Sequence, residues 1–312
     1  MKSLLRILSL AVSLTWSHAA FAAEGGSGVY LLGLRTTGAG ITPPPGIYIS
    51  EQIFSYHGEI KGSLPTEGGP VTASAEVNPL VNIPTLQWVT PIEILGGRLG
   101  LSATTPFGRV AIKANAGPLS VEDSITTYAD PTVTSFLGWR AGQMHWQLGA
   151  SGYLPWGDYE KGALANIAKH RLALDLFAAA TYFDPGTGID ITNMLGLTLN
   201  AENASTNYKT GNELHWDWAV SKKFTNGLSI GAIGYAYQQL SGDSGTGAAL
   251  GDFKGQVTAI GGSLGYDFKL GDLPVSTRAR YYHEFDVKNR FQGDAMFFSA
   301  SMPLSVPKAT GR

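Results

Sequence analysis

The chain has 312 residues, 22 basic and 24 acidic, for a net charge of −2, with 40 glycines, 13 tyrosines and no cysteine. Without cysteine there is neither a disulfide framework nor a thiolate metal site, and the slightly acidic balance excludes a polybasic nucleic-acid binder. Only 15% of the residues are charged, and the richness in glycine and tyrosine suits a turn-rich β protein better than a helical one.

Residues 1–22 read as a secretory signal. Lys2 and Arg6 supply a positive start, Leu4 to Leu14 is mainly apolar, and Ala20-Phe21-Ala22 is a small-x-small cleavage site. Cleavage after Ala22 would leave 20 basic against 24 acidic residues, a net charge of −4. After residue 23 no stretch approaches the ~20 consecutive apolar residues that a membrane helix needs. The most apolar run, Leu172 to Phe183, is short and carries Asp175. A membrane reading is therefore a barrel reading, since only helices and closed barrels satisfy the backbone in lipid.

Segment 23–45 is glycine-rich and ends in Pro43-Pro44-Pro45-Gly46, a stiff run that cannot pair in a ladder. It reads either as a periplasmic leader or as a plug folded into the lumen. The barrel proper is expected over 46–304, with strands at 46–58, 80–92, 97–115, 131–141, 143–155, 169–183, 187–201, 211–224, 227–241, 254–269, 273–287 and 293–304, followed by a tail over 305–312. Twelve is an even number, as expected for a closed antiparallel transmembrane β-barrel with both termini periplasmic. Strands this long exceed the soluble norm, and crossing a bilayer at a tilt supplies the reason.

The connections sort by parity. Those after odd strands, 59–79, 116–130, 156–168, 202–210, 242–253 and 288–292, are mostly long. Those after even strands carry tight-turn chemistry: Gly96-Gly97, Asp184-Pro185-Gly186, Asn226-Gly227 and Gly271-Asp272. Long loops on one side and short periplasmic turns on the other form the outer-membrane pattern.

Side chains alternate with period two where a barrel wall requires it. Met144, Trp146 and Leu148 oppose His145, Gln147 and Ser151. Leu172, Leu174 and Leu176 oppose Arg171 and Asp175, while Leu214, Trp216 and Trp218 oppose Glu213, His215 and Asp217. Val275, Ala279, Tyr281 and Phe285 oppose Arg278, Arg280, Glu284 and Asp286. Strand 97–115 changes phase around Pro106 and Gly108. Trp139, Trp146, Tyr182 and Phe268 fall on outward faces near short turns, and Phe285 and Phe298 near the opposite rim, as two aromatic girdles would.

Charges facing lipid at the midplane cost roughly 2–4 kcal/mol for Arg or Lys, so Arg171, Asp175, Glu213, His215, Asp217, Arg278, Arg280, Glu284 and Asp286 are assigned to the lumen. They would either contact solute or rigidify the interior as a charge network. No HExxH motif, GxSxG elbow or P-loop is present. His145 and Ser151 share a face but lie too far apart on one strand for a hydrogen bond. No cofactor, metal or catalytic residue is expected.

Several passages resemble one family. They are Pro43-Pro44-Pro45-Gly46-Ile47-Tyr48, Gly157-Asp158-Tyr159 with Leu164-Ala165-Asn166-Ile167, Tyr182-Phe183-Asp184-Pro185, Asn207-Tyr208-Lys209-Thr210-Gly211-Asn212-Glu213-Leu214-His215, Tyr237-Gln238-Gln239-Leu240 with Asp243, and Glu284-Phe285-Asp286-Val287-Lys288-Asn289-Arg290. Together they resemble the outer-membrane transporter family of the meta-pathway of phenol degradation. The resemblance implies an outer-membrane barrel that passes aromatic or other small hydrophobic compounds. One departure is the end of the chain: barrels of this kind usually finish on an aromatic, whereas here Met302-Pro303-Leu304 is followed by Ser305 to Arg312.

The sequence thus reads as a passive outer-membrane channel whose partners are membrane lipid, a small organic solute and the outer-membrane assembly machinery, with no nucleic acid. The rival readings are a barrel acting through its extracellular loops, as a structural or adhesive protein would, and a barrel-embedded enzyme. N-terminal sequencing of protein from the envelope should begin at Ala23; a mature chain retaining Lys2 and Arg6 would remove the case for export.

Overall fold

The computed structural model describes residues 23–64, 71–249 and 251–305. The expected signal peptide, and the expected tail beyond Ser305, lie outside the described residues. Alternating sequence becomes strand almost throughout: β1 (Gly46–Leu64), β2 (Val71–Asn82), β3 (Thr85–Ile94), β4 (Gly97–Thr104), β5 (Phe107–Ala116), β6 (Leu119–Tyr128), β7 (Thr132–Ala141), β8 (Met144–Tyr153), β9 (Ala173–Asp184), β10 (Ile189–Asn200), β11 (Glu213–Lys223), β12 (Leu228–Gln239), β13 (Gln256–Leu270), β14 (Leu273–Lys288) and β15 (Gln292–Ser305). Neighbours pair antiparallel, and β15 returns to β1 in register from Ile47 opposite Ser305 to Glu59 opposite Gln292, so the sheet closes. The segments β2–β3, β4–β5 and β6–β7 each form one interrupted stave. The result is a closed 12-strand antiparallel barrel.

The interruptions have one cause. Pro84, Pro106 and Pro131 sit at the three breaks, and proline cannot donate to a ladder. Each proline carbonyl instead accepts from the next stave: from Thr105 N at 3.3 Å, Ala129 N at 2.8 Å and Leu154 N at 2.9 Å. A crease therefore crosses three adjacent staves. The phase change read at Pro106 and Gly108 is this crease.

Above it, two expectations are corrected. Segments 59–79 and 116–130, read as long loops, are largely strand: β1 runs on to Leu64, β2 starts at Val71, and β5 and β6 meet at a turn over 117–118. Their charged outer faces and mostly small inner residues hid them: Ala73 and Ala75 are buried beside Phe291, with Ile60, Val77 and Ala114 packed against them. Lys61 pairs with Glu59 and Lys113 with Glu122 on exposed positions, so this extension stands clear of the hydrocarbon. β6 pairs with β5 alone. Its other side is covered by segment 154–172, where Asp158 N donates to Tyr128 O at 3.1 Å. The Asp130 carboxylate accepts the peptide N–H groups of Gly157, Lys169 and His170.

In the wall, burial alternates as the pattern requires. Along β9, Ala173, Asp175, Phe177, Ala179 and Thr181 are buried while Leu174 and Leu176 are exposed. Leu148, Leu195, Trp216, Ile230, Ile260, Leu264, Met296 and Phe298 join an exposed apolar belt that water would disfavour and lipid accepts. Trp139 and Trp146 stack at 6.3 Å beside the short turns.

The barrel ends, Gly46 and Ser305, meet at the short-turn rim. Ala23 lies at the opposite rim, because the segment between it and β1 doubles back through the interior. In the cysteine-free background, a cysteine at Glu122 should react with an impermeant thiol reagent on intact cells and one at Asn226 should not. The reverse pattern would invert the orientation in which the long-loop rim faces outward.

Candidate functional site: the filled lumen

Residues 23–42 fill the barrel from the long-loop rim to the short-turn rim. At the top, the Glu24 carboxylate accepts Asn203 Nδ2 at 3.0 Å and Thr206 Oγ1 at 2.6 Å. In the middle, Asp217 collects three donors: Tyr30 Oη at 2.6 Å, Gly33 N at 3.2 Å and Arg35 N at 3.4 Å. Lower down, Gly38 N and Gly40 N donate to Thr192 Oγ1 and Thr181 Oγ1, each at 3.0 Å. Gln147 Nε2 then donates to Ile41 O and Thr42 Oγ1, each at 3.1 Å. Of the two readings of this segment, the geometry is that of a plug.

Glycine is needed where the plug touches the wall. A Cβ on Gly40 would lie 2.7 Å from Thr181 N and 2.8 Å from His145 O, which are backbone atoms that cannot yield. Gly33 has φ +77°, and a Cβ there would lie 2.8 Å from the Tyr282 ring. The low side-chain content of 23–45 is what lets a chain pass through a closed barrel.

The wall charges named from the sequence are, with two exceptions, fully inside: Arg171, Asp175, Glu213, His215, Asp217, Arg280 and Glu284 are all buried. They divide into connected groups. Arg171 Nε donates to Asn200 Oδ1 at 3.0 Å, Asn200 Nδ2 to Glu213 Oε2 at 3.0 Å, and Tyr237 Oη to Glu213 Oε1 at 2.6 Å. His215 Nε2 meets Asp175 Oδ1 at 2.9 Å, and the His215 ring stacks on Tyr30 of the plug at 3.7 Å. Arg280 Nη1 donates to the plug carbonyls of Gly33 at 2.7 Å and Leu34 at 2.9 Å, while its Nη2 reaches Gln52 Oε1. Glu284 accepts Tyr56 Oη at 2.6 Å and Tyr235 Oη at 2.8 Å. Outside the strands, burial and the nearby Arg171 guanidinium lower the Lys169 ammonium to about 8, and its Nζ donates to Ser27 Oγ of the plug at 2.6 Å.

Arg278 is half-buried near the short-turn rim, donating to Ser229 Oγ at 3.1 Å. Asp286 is the correction. The ladder slips between Gln256 and Thr258, and Asp286 takes φ +53° in the resulting bulge. A bulge inserts one residue and reverses the faces beyond it, so Asp286 is exposed and accepts Gln256 Nε2 at 2.6 Å rather than facing the lumen.

Sequence reasoning missed the apolar part of the interior. Phe54, Phe136, Phe177, Tyr235, Tyr282 and Phe297 are buried inward, packed with Tyr30 and Leu32 of the plug. Phe54 and Phe297 lie 4.9 Å apart, Tyr235 and Tyr282 5.0 Å, and the Arg280 guanidinium sits 4.5 Å over the Phe297 ring. Their signal was readable: Phe177 shares parity with Asp175, and Tyr282 with Arg280 and Glu284. Among the described residues, no group of three or more His, Cys, Asp or Glu could hold a metal ion.

A closed 12-strand barrel with an apolar outer belt and a filled, polar and aromatic lumen has the architecture of an outer-membrane β-barrel. Residues 63–300 match the model of the family described as "Putative MetA-pathway of phenol degradation"; the chain belongs to that family. No curated protein sequence matches it. Among solved structures it is similar to the COG4313 outer membrane channel from Pseudomonas putida F1, with TM-score 0.70 and 15% identity over 84% of this chain and 96% of that one. A Pseudomonas aeruginosa FadL homologue follows at TM-score 0.48 and 10% identity, over 92% of this chain and 100% of that one.

Asp217→Ala would strand the Tyr30 hydroxyl and two peptide N–H groups, each at a cost of about 1–3 kcal/mol. The wall ladder is untouched, so the expected outcome is an undocked plug in an intact barrel. Single-channel conductance should rise and trypsin should cut after Arg35, while heat-modifiable gel mobility stays normal. Unchanged conductance and protection would mean that Asp217 does not hold the plug.

Proposed function

We propose that this protein is a passive outer-membrane channel for small aromatic or other hydrophobic compounds, opened by displacement of its plug. The observation that carries the proposal is the inward set Phe54, Phe136, Phe177, Tyr235, Tyr282 and Phe297. A channel for hydrophilic solutes has no use for rings in its lumen, because they repel water and narrow the path. Rings offer an aromatic solute stacking and edge contacts, and the plug's Tyr30 and Leu32 already occupy that surface as an internal stand-in. The phenol-degradation family and the fold shared with an outer membrane channel point the same way.

A polar handle lies on the entry side. Arg171, near the end of segment 154–172 and just before β9, is buried, and its Nη1 and Nη2 have no hydrogen-bond partner among the described residues. Buried guanidinium donors favour an oxygen acceptor, so a hydroxyl or carboxyl group on the ring would be met there. The protein would sit in lipid with its long-loop rim outward, placed by the assembly machinery that inserts barrels.

Uptake into proteoliposomes of a panel of phenols, aromatic acids, plain aromatics and sugars tests this. Phenols and aromatic acids should cross faster than sugars, and Arg171→Leu should remove their advantage over plain aromatics by roughly ten-fold, the worth of one charge-assisted hydrogen bond. Sugars crossing as fast as phenols would overturn the reading. Deleting the tips of the β1–β2 and β5–β6 hairpins should spare flux, whereas an adhesive barrel would lose its activity.

A further inference from the structure

The top of the plug ends in a site built for a charged group that a peptide bond cannot supply. Ala23 is fully buried, and its backbone N lies 3.0 Å from Asp243 Oδ2. Asp243, itself 4% exposed, also accepts Tyr208 Oη on Oδ2 at 2.6 Å, and on Oδ1 Gly211 N at 3.0 Å and Gln239 Nε2 at 2.7 Å. All four donors are formally neutral. Among the described residues, no Lys, Arg or His side chain forms an ion pair with it. A buried carboxylate without a cation is costly.

Two further observations converge on the same atom. Ala23 has φ +62° and ψ +138°, a region that non-glycine residues avoid at a cost of order 1–3 kcal/mol. A residue that opens a chain has no preceding carbonyl and therefore no φ to strain. The small-x-small motif Ala20-Phe21-Ala22 ends at the bond before it. The loops around residue 23 are also tied together, Asn203 bridging to Tyr208 and Lys209 to Ser244, so the site is preformed by two connections rather than one.

We propose that Asp243, with Tyr208, Gly211 and Gln239 around it, is the receptor for the α-ammonium group of Ala23, and that removal of the signal peptide creates the charge that latches the plug. A signal peptidase adds water across the Ala22–Ala23 bond: the water oxygen joins the Ala22 carbonyl, which leaves as a carboxylate, and both water protons end in net on the Ala23 nitrogen, which becomes –NH3+. One N–H donor becomes three, and a neutral contact becomes a charge-assisted one. Capture of an N-terminal amine is a known mode of peptide recognition. The latch holds whatever the channel carries, since it rests on the plug and not on the solute.

The test uses protein purified from the envelope. Its tryptic peptide 23–35 contains no lysine, so acylation of that peptide reports the α-amine alone. At about pH 7 an α-amine retains a reactive neutral fraction, whereas an ordinary lysine is almost wholly protonated. The α-amine of the folded protein should react at least about ten-fold more slowly than in denaturant, because reaction requires local opening. Asp243→Asn should bring the rate near the denatured one and admit trypsin after Arg35. Because Asp243→Asn could impair assembly, a second variant inserts one glycine after Ala22, leaving Asp243 intact but turning the Ala23 nitrogen back into an amide. Its new amino terminus should be unprotected. A mature chain that starts anywhere but Ala23, an α-amine as reactive folded as denatured, or full protection in the glycine variant would each overturn the proposal.

Discussion

A sheet in hydrocarbon can leave no backbone hydrogen-bonding group unpaired, and every other feature of this molecule follows from meeting that constraint. The pairing of β1 with β15 removes the two edges. Once the sheet is closed, each stave has one face in lipid and one in the lumen, so period-two alternation becomes obligatory rather than a preference. The exceptions are informative. Where the outer face turns charged, above the proline crease, the staves have left the lipid, and β6 can keep an edge because segment 154–172 covers it with peptide donors and acceptors.

Closure creates a second problem inside. Polar groups on the inner faces are cut off from bulk water if the lumen is narrow, and an unpartnered buried acceptor or donor is expensive. The plug answers this with backbone. Asp217 is satisfied largely by plug N–H groups, and Arg280 by plug carbonyls. A glycine-rich segment is suited to this role because it exposes its peptide groups and can approach the wall closely, as Gly40 does against Thr181 and His145. The charges that look from sequence like a lining for solute are thus partners of segment 23–42.

The same arrangement suits a gated path. Plug contacts that are individually modest and spread along the lumen can be exchanged a few at a time, whereas the wall ladder cannot open without exposing backbone to lipid. The aromatic surface under Tyr30 and Leu32 would be revealed as the plug moves.

How much of this was legible before the structure follows from the range of the forces involved. Barrel class, strand count and inward charges were set by local pattern: alternation in β9 and β11 places Asp175 and Asp217 without reference to any distant residue, and lipid enforces it. Asp286 failed because a one-residue bulge, which leaves no mark in composition, reverses parity beyond it. The β1–β2 and β5–β6 extensions failed because charged outer faces and small inner residues such as Ala73, Ala75 and Ala114 give only a weak hydrophobic period. The plug, the contacts of Tyr30 with His215 and Asp217, and the cradle of Ala23 on Asp243 join residues some 185 to 220 positions apart. No local pattern encodes such a pairing. The sequence by itself determined which face of each strand meets lipid; only the closed tertiary structure decided what occupies the space those strands enclose, because that space exists only after the first and last staves have met.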